Sequence, residues 1–172
     1  MLPTVADARG RRQRAPDVGG RVDTVRMTFM TPPIDILLQA FFDTKVQRAK
    51  PERRQRLGDV DARLRQYLET EIPSRLCSDC QALIVAERQF DPHNVVARLF
   101  DAGVLLAALP GFLAPHRLAP DSAARRTQFE VVRGLGRMLV NDELVDVDDY
   151  EAFEAAISRV VQRPPYRGRR RW

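Results

Sequence analysis

The sequence predicts an all-α fold, a single compact domain of six or seven helices over residues 30–162. Apolar residues recur there at intervals of three and four, the spacing that places them on one face of a helix. Prolines and capping side chains precede several of these segments. No run of alternating apolar and polar residues indicates a strand. The length of 172 residues and the apolar share of 44% suit one globular domain.

Two helices are predicted before Pro73. Thr31 is placed as an N-cap ahead of two prolines, and apolar residues at helical spacing follow from Ile34 to Phe42. A second helix is predicted from Pro51 to Glu71, because proline is favoured in a first turn, and Pro73 ends it. Its apolar stripe is Leu57, Val60, Leu64, Tyr67 and Leu68.

The middle of the chain predicts three further helical segments. One begins near Ser78 and carries Leu83, Ile84, Val85 and Phe90. Asp91 as a cap and Pro92 in the first turn open the next, which contains Val95, Val96, Leu99 and Phe100. Residues 101–109 either continue that helix or restart after a bend, and they are apolar on nearly every side. Such a pattern is typical of a central, buried helix.

The last third predicts a loop and two helices. Residues 110–120 contain three prolines and a glycine, which indicates a connecting loop. A long helix follows from Pro120, and its small residues Gly134 and Gly136 allow another helix to approach closely. Asp148 is expected to cap the final helix, with Glu151 three residues later as in a capping box.

The basic excess is confined to the ends of the chain. The formal charge is +5, yet residues 30–162 hold 17 basic and 20 acidic side chains. Residues 1–29 are predicted to be a disordered basic leader, and a start codon called too early would explain them equally well. Residues 163–172 form a basic tail with five arginines. The predicted domain itself is therefore mildly acidic, and the isoelectric point does not make it a nucleic-acid binder.

A metal site is one interpretation of Cys77, Cys80 and His93. Their spacing matches the first three ligands of a zinc finger, but no fourth ligand follows three to five residues after His93. A redox pair is another interpretation, although it calls for a βαβ context that the pattern lacks. Two small buried thiols at one helix entrance, kept reduced in a cytoplasmic protein, are the simpler interpretation. We therefore expect no cofactor.

Arginines supply two candidate nucleic-acid contacts. Three acid-before-base pairs on the second helix occupy Arg56, Arg63 and Arg65, which favours a solvated surface and leaves Arg53 and Arg54 without a local partner. In the basic tail, the cluster consists of Arg167, Arg169, Arg170 and Arg171, with Tyr166 and Trp172 interleaved. Such a segment is typical of a tail that contacts phosphates and stacks on bases of a nucleic acid. It is equally typical of a terminal segment that only increases solubility.

Residues 125–145 are similar to a late helix of the core-binding domain of tyrosine recombinases. The chain has no second domain to supply that family's catalytic residues, so the likeness does not assign it to the family.

The sequence favours a non-catalytic protein–protein interaction or regulatory module, acting through a protein partner or through self-association. It contains no nucleophile elbow, phosphate-binding loop or metalloprotease motif, so catalysis is not expected. The alternative is a nucleic-acid-associated accessory protein that uses the basic tail and the arginines between Arg53 and Arg65. No apolar stretch is long enough to span a membrane.

Overall fold

The structure, a computed structural model, describes residues 31–162. These residues form seven α-helices and two short 3-10 helices, which confirms the all-α prediction. The predicted leader 1–29 and the basic tail lie outside the described residues, and so do Arg167, Arg169, Arg170 and Arg171. The α-helices are α1 (Ile34–Gln47), α2 (Pro51–Glu71), α3 (Ser78–Glu87), α4 (Val95–Leu99), α5 (Ala102–Phe112), α6 (Ser122–Asn141) and α7 (Val147–Gln162).

Helix α5 lies at the centre of the packing. It contacts α1, α2, α6 and α7. Its buried side chains are Ala102, Leu105, Leu106, Ala108, Leu109 and Phe112. The sequence-based prediction of a central, buried helix is confirmed. Because full burial of a leucine contributes about 1.5–3 kcal/mol, this helix is a large part of what holds the fold together.

Two predicted helix starts are wrong, and tertiary contacts explain both. Helix α1 begins after Pro33 without a side-chain cap from Thr31; instead the Ile34 N–H donates to the Phe100 carbonyl at 2.9 Å. Helix α4 begins after Asn94, which adopts a left-handed conformation with φ of 50°, and not at the Asp91-Pro92 pair.

The first turn of α4 is capped from another helix. The Val96 N–H donates to Glu69 Oε1 of α2 at 2.7 Å. Asp91 serves the preceding turn, where its Oδ1 accepts from the His93 N–H at 3.0 Å. A cap that comes from a distant part of the chain carries no local signature, so the sequence pattern misplaced this helix start.

Helix α5 also extends further than predicted. It passes through Pro110 and ends at Phe112, so the predicted loop begins later than residue 110. Proline removes one backbone donor from a helix, but Leu109 and Phe112 on either side of it are buried and hold the last turn against the core. The final helix begins at Val147, one residue before the predicted cap Asp148.

The two glycines of α6 permit close packing, as predicted. A Cβ atom at Gly136 would lie 2.3 Å from the Phe153 ring of α7, and one at Gly134 would lie 3.0 Å from the Phe41 ring of α1. Neither distance leaves room for a methyl group without a shift of the ring. The glycines therefore set how closely α1 and α7 approach α6.

Candidate functional site

The two cysteines of the predicted metal site lie together at the start of α3. Cys77 is the N-cap residue, and its Sγ accepts a hydrogen bond from the Cys80 N–H at 3.3 Å. His93 lies in the turn before α4 with its side chain exposed. Among residues 31–162, no three histidine, cysteine or acidic side chains gather as ligands. The structure thus brings Cys77 and Cys80 together without adding His93 to them as a third ligand.

The two thiols have different surroundings. Cys77 is exposed, whereas Cys80 is half-buried and packs against the core, so the expectation that both thiols are buried is wrong for Cys77. Hydrogen bonds from the Cys80 thiol and the Cys80 backbone N–H lower the pKa of Cys77 below that of an ordinary thiol. Burial, together with the hydrogen bond to Cys77 and the charge of Cys77, raises the pKa of Cys80 to about 11. The exposed thiol is therefore the more acidic of the two.

Arg53 and Arg54 both have partners that the sequence did not reveal. Arg53 Nη2 lies 3.0 Å from Glu130 Oε2 of α6, and both side chains are about half-exposed. Arg54 Nε donates to the Ala49 carbonyl at 2.8 Å, near the end of α1. Each guanidinium thus ties α2 to a neighbouring segment, which leaves less of its hydrogen-bonding capacity for a phosphate.

Arg65 and Arg63 are engaged in the same way, whereas the buried Nε of Arg56 has no hydrogen-bond partner within residues 31–162. The expected pairs of Arg56 with Glu52 and of Arg63 with Asp59 do not form there. Arg65 pairs with Asp61 at 3.0 Å, the expected partner four residues earlier, and also with Asp35 of α1. Arg63 donates to the Arg117 carbonyl, in the loop between α5 and α6. Apart from Arg56, the arginines of α2 are therefore already bound within the protein.

An open groove of about 760 Å³ lies between α2 and the segment that leads into α4. Its polar lining includes Arg65, Arg88 and His93. Arg88 lies 3.6 Å from Glu69 Oε2, and Arg65 is paired as described above. Since both guanidinium groups face carboxylates, the groove offers little uncompensated positive charge to an anion.

Helix α3 carries the most prominent feature of the surface. Ile84 is its one buried side chain, at 1% exposure. Around it, Leu83 is 40% exposed, Val85 is 60% exposed, and Phe90 in the turn after the helix is 85% exposed. We call these three residues the α3 surface. A helical segment that is apolar on nearly all sides is normally buried, but α3 packs mainly on α4 and on the short helix Pro73–Arg75.

The charged groups at the end of α3 are paired with each other. Arg98 lies 3.1 Å from Glu87 Oε1 and also binds Asp91. From Cys80 to Ala86 the helix contains no charged residue. The C-terminal border of the α3 surface is thus internally neutralised and its centre is uncharged, while Asp79 in the first turn of α3 is exposed without an ion pair among the described residues.

The sequence did not single out the α3 surface, although its signal was present. Residues 82–86 are apolar without interruption, the same all-round pattern that predicted burial for α5. Periodicity cannot show whether a neighbouring helix covers such a segment, because coverage depends on contacts between distant residues.

Within the described part of the chain, no helix combines the length and the apolar character needed to cross a membrane. Comparison with known proteins gives no match to a family model, and no significant match to a curated protein or to a solved structure.

Proposed function

We propose that this protein is a non-catalytic interaction module that associates with a second copy of itself through the α3 surface. The observation that carries the proposal is the exposure of Leu83, Val85 and Phe90 on a helix with one buried side chain. Full burial of a valine, leucine or phenylalanine contributes about 1.5–3 kcal/mol per side chain. Exposed apolar surface of this kind is typical of a contact with another protein.

The shape of α3 supports a partner helix. Ala82 and Ala86 lie four residues apart, so they form one line along the outer side of the helix. Val85 flanks this line on one side and Leu83 on the other, given the 3.6-residue turn. Small residues in the middle let a second helix approach closely, while the larger side chains enclose it.

The charge pattern supports a second copy as that partner. In a two-fold interface the same surface meets itself, so a charged centre would repel its own copy. Here the stretch from Cys80 to Ala86 is uncharged, and Glu87 is neutralised by Arg98. The α3 of a second molecule is also a helix of matching chemistry, apolar and unpartnered in the same way.

The test is the molar mass of the full chain in solution, measured by light scattering coupled to size-exclusion chromatography. We expect a dimer for the natural sequence and a monomer for each of the single variants Val85→Lys and Phe90→Lys, because the contact would bury an unpaired lysine charge from each copy. Val147→Lys is the matched control, since Val147 is 62% exposed against 60% for Val85 but lies on α7.

Far-UV circular dichroism and thermal unfolding verify that each variant folds. A natural chain that stays monomeric at high micromolar concentration would contradict the proposal. So would a dimer that Val85→Lys and Phe90→Lys leave intact, or one that Val147→Lys disrupts equally.

A further inference from the structure

The start of α3 holds a second arrangement, which does not depend on the proposed dimer. Cys77 is the N-cap and Cys80 is the third residue of a helix that runs from Ser78 to Glu87. The Sγ of Cys77 is turned back over this first turn, where it accepts the Cys80 N–H at 3.3 Å. The two thiols are therefore neighbours; the Cys77 thiol is exposed to solvent and the Cys80 thiol is half-buried.

This arrangement gives the two thiols unequal reactivity. The thiolate is the attacking species in exchange with a disulfide, and a helix N-terminus favours its negative charge. Cys77 is the better nucleophile for two reasons. Its side chain is exposed to a reagent, and hydrogen-bond donors directed at its sulfur favour the thiolate. Cys80 is half-buried, so it meets a reagent less readily than it meets the sulfur of Cys77.

We propose that Cys77 and Cys80 form a redox-active dithiol that is oxidised by thiol–disulfide exchange, with Cys77 as the attacking thiol and Cys80 as the resolving thiol. The oxidant is a disulfide, either of a small thiol compound or of a peptide. The all-α surroundings do not prevent this chemistry, because it needs an exposed thiolate and a second thiol within reach, and α3 supplies both.

The reaction balances in two steps. The Cys77 thiolate attacks one sulfur of the disulfide, which forms a mixed disulfide and releases the other sulfur as a thiolate. Cys80 then loses its proton to solvent and attacks Cys77 Sγ, which forms the Cys77–Cys80 bond and releases the second thiolate. The protein loses two electrons and two protons, and the disulfide becomes two thiols.

The test uses the reduced full chain with two probes in parallel, glutathione disulfide and a short peptide closed by one disulfide. We expect the natural chain to lose two hydrogens, seen by intact mass spectrometry, with no lasting adduct. Cys80→Ser should retain the probe as a stable mixed disulfide on Cys77. Cys77→Ser should react with each probe at no more than about one tenth of the natural rate, because its remaining thiol, Cys80, is half-buried and mostly protonated and is therefore a poor nucleophile.

The two probes distinguish the source of the disulfide by their relative rates, and reaction with either one supports the proposal. Serine is a good N-cap, so Cys77→Ser is expected to keep α3 folded, which circular dichroism verifies. Failure of both probes to oxidise the natural chain would overturn the proposal. Equal rates for Cys77→Ser and Cys80→Ser would do the same, since the assigned roles would then have no basis.

Discussion

Replacement of Gln128 by leucine tests whether the hydrogen bonds of this side chain hold the loop between α5 and α6 in place. Gln128 is fully buried on α6. Its Nε2 donates to the Phe112 carbonyl at 2.8 Å, and its Oε1 accepts from the Ala119 N–H at 3.0 Å. A further bond reaches the Arg117 carbonyl at 3.3 Å. One side chain thus satisfies backbone groups at both ends of the loop between the two helices.

Leucine has nearly the same size but cannot make these bonds. The Arg117 carbonyl keeps the Arg63 guanidinium as a donor, so two backbone groups lose their partner. Each unsatisfied buried group costs about 1–3 kcal/mol, and the more apolar side chain returns about 1 kcal/mol. We therefore expect Gln128→Leu to lower the free energy of unfolding by about 3 kcal/mol.

Urea unfolding followed by circular dichroism measures this loss. With a slope of about 1–3 kcal/mol per molar urea, the midpoint should fall by about 1–3 M. Gln55→Leu is the control, because Gln55 is exposed on α2 and should change stability by less than about 0.5 kcal/mol. If Gln128→Leu unfolds at the same urea concentration as the control, the hydrogen bonds of Gln128 do not hold the loop.

Four other predictions concern a glycine of α6, a glycine of α2, the thiol of Cys77 and the basic tail. Gly136→Ala should destabilise the fold by about 1–3 kcal/mol, because its methyl would lie 2.3 Å from the Phe153 ring. Gly58→Ala, with nothing within 4 Å, should instead stabilise it by about 0.5–1 kcal/mol in urea unfolding. Alkylation of Cys77 by iodoacetamide should reach half its maximal rate at a lower pH than for an ordinary thiol, because its pKa is lowered; a midpoint at the ordinary value would contradict this. If the basic tail binds duplex DNA, affinity should fall steeply with salt and vanish when residues 163–172 are deleted, whereas the absence of binding at low salt would end that hypothesis.

Local chemistry accounts for the helix starts that were predicted well. Pro51 is the first residue of α2, as expected from its fixed backbone angle. The sequence left open whether residues 101–109 continue the preceding helix or restart; the side chain of Asp101 accepts hydrogen bonds from the Gly103 and Val104 N–H groups and so makes α5 a separate helix. Asp121 caps α6 in the same way, one residue after the predicted start. In these cases the residues that define the end of the helix lie within a few positions of it.

The candidate sites were less predictable because their partners are distant in sequence. The Glu130 that neutralises Arg53 is 77 residues away, and nothing near Arg53 indicated it. Cys77 and Cys80 were recognised as a pair, but their unequal exposure depends on how the start of α3 packs against the core. The sequence could name the arginines and cysteines as candidate site residues. It could not show which of them are free to contact a ligand or a reagent and which are paired or buried within the protein.

The amino-acid sequence alone determined the all-α class, the starts of α2 and α3 and the buried position of α5, because spacing and capping act over a single turn. Only the tertiary structure decided that α3 stays largely uncovered and that Gln128 is buried. It also decided that Arg53 and Arg65 of α2 form ion pairs within the protein. Burial and pairing are contacts between remote segments, and their free energy depends on the arrangement of all seven helices at once.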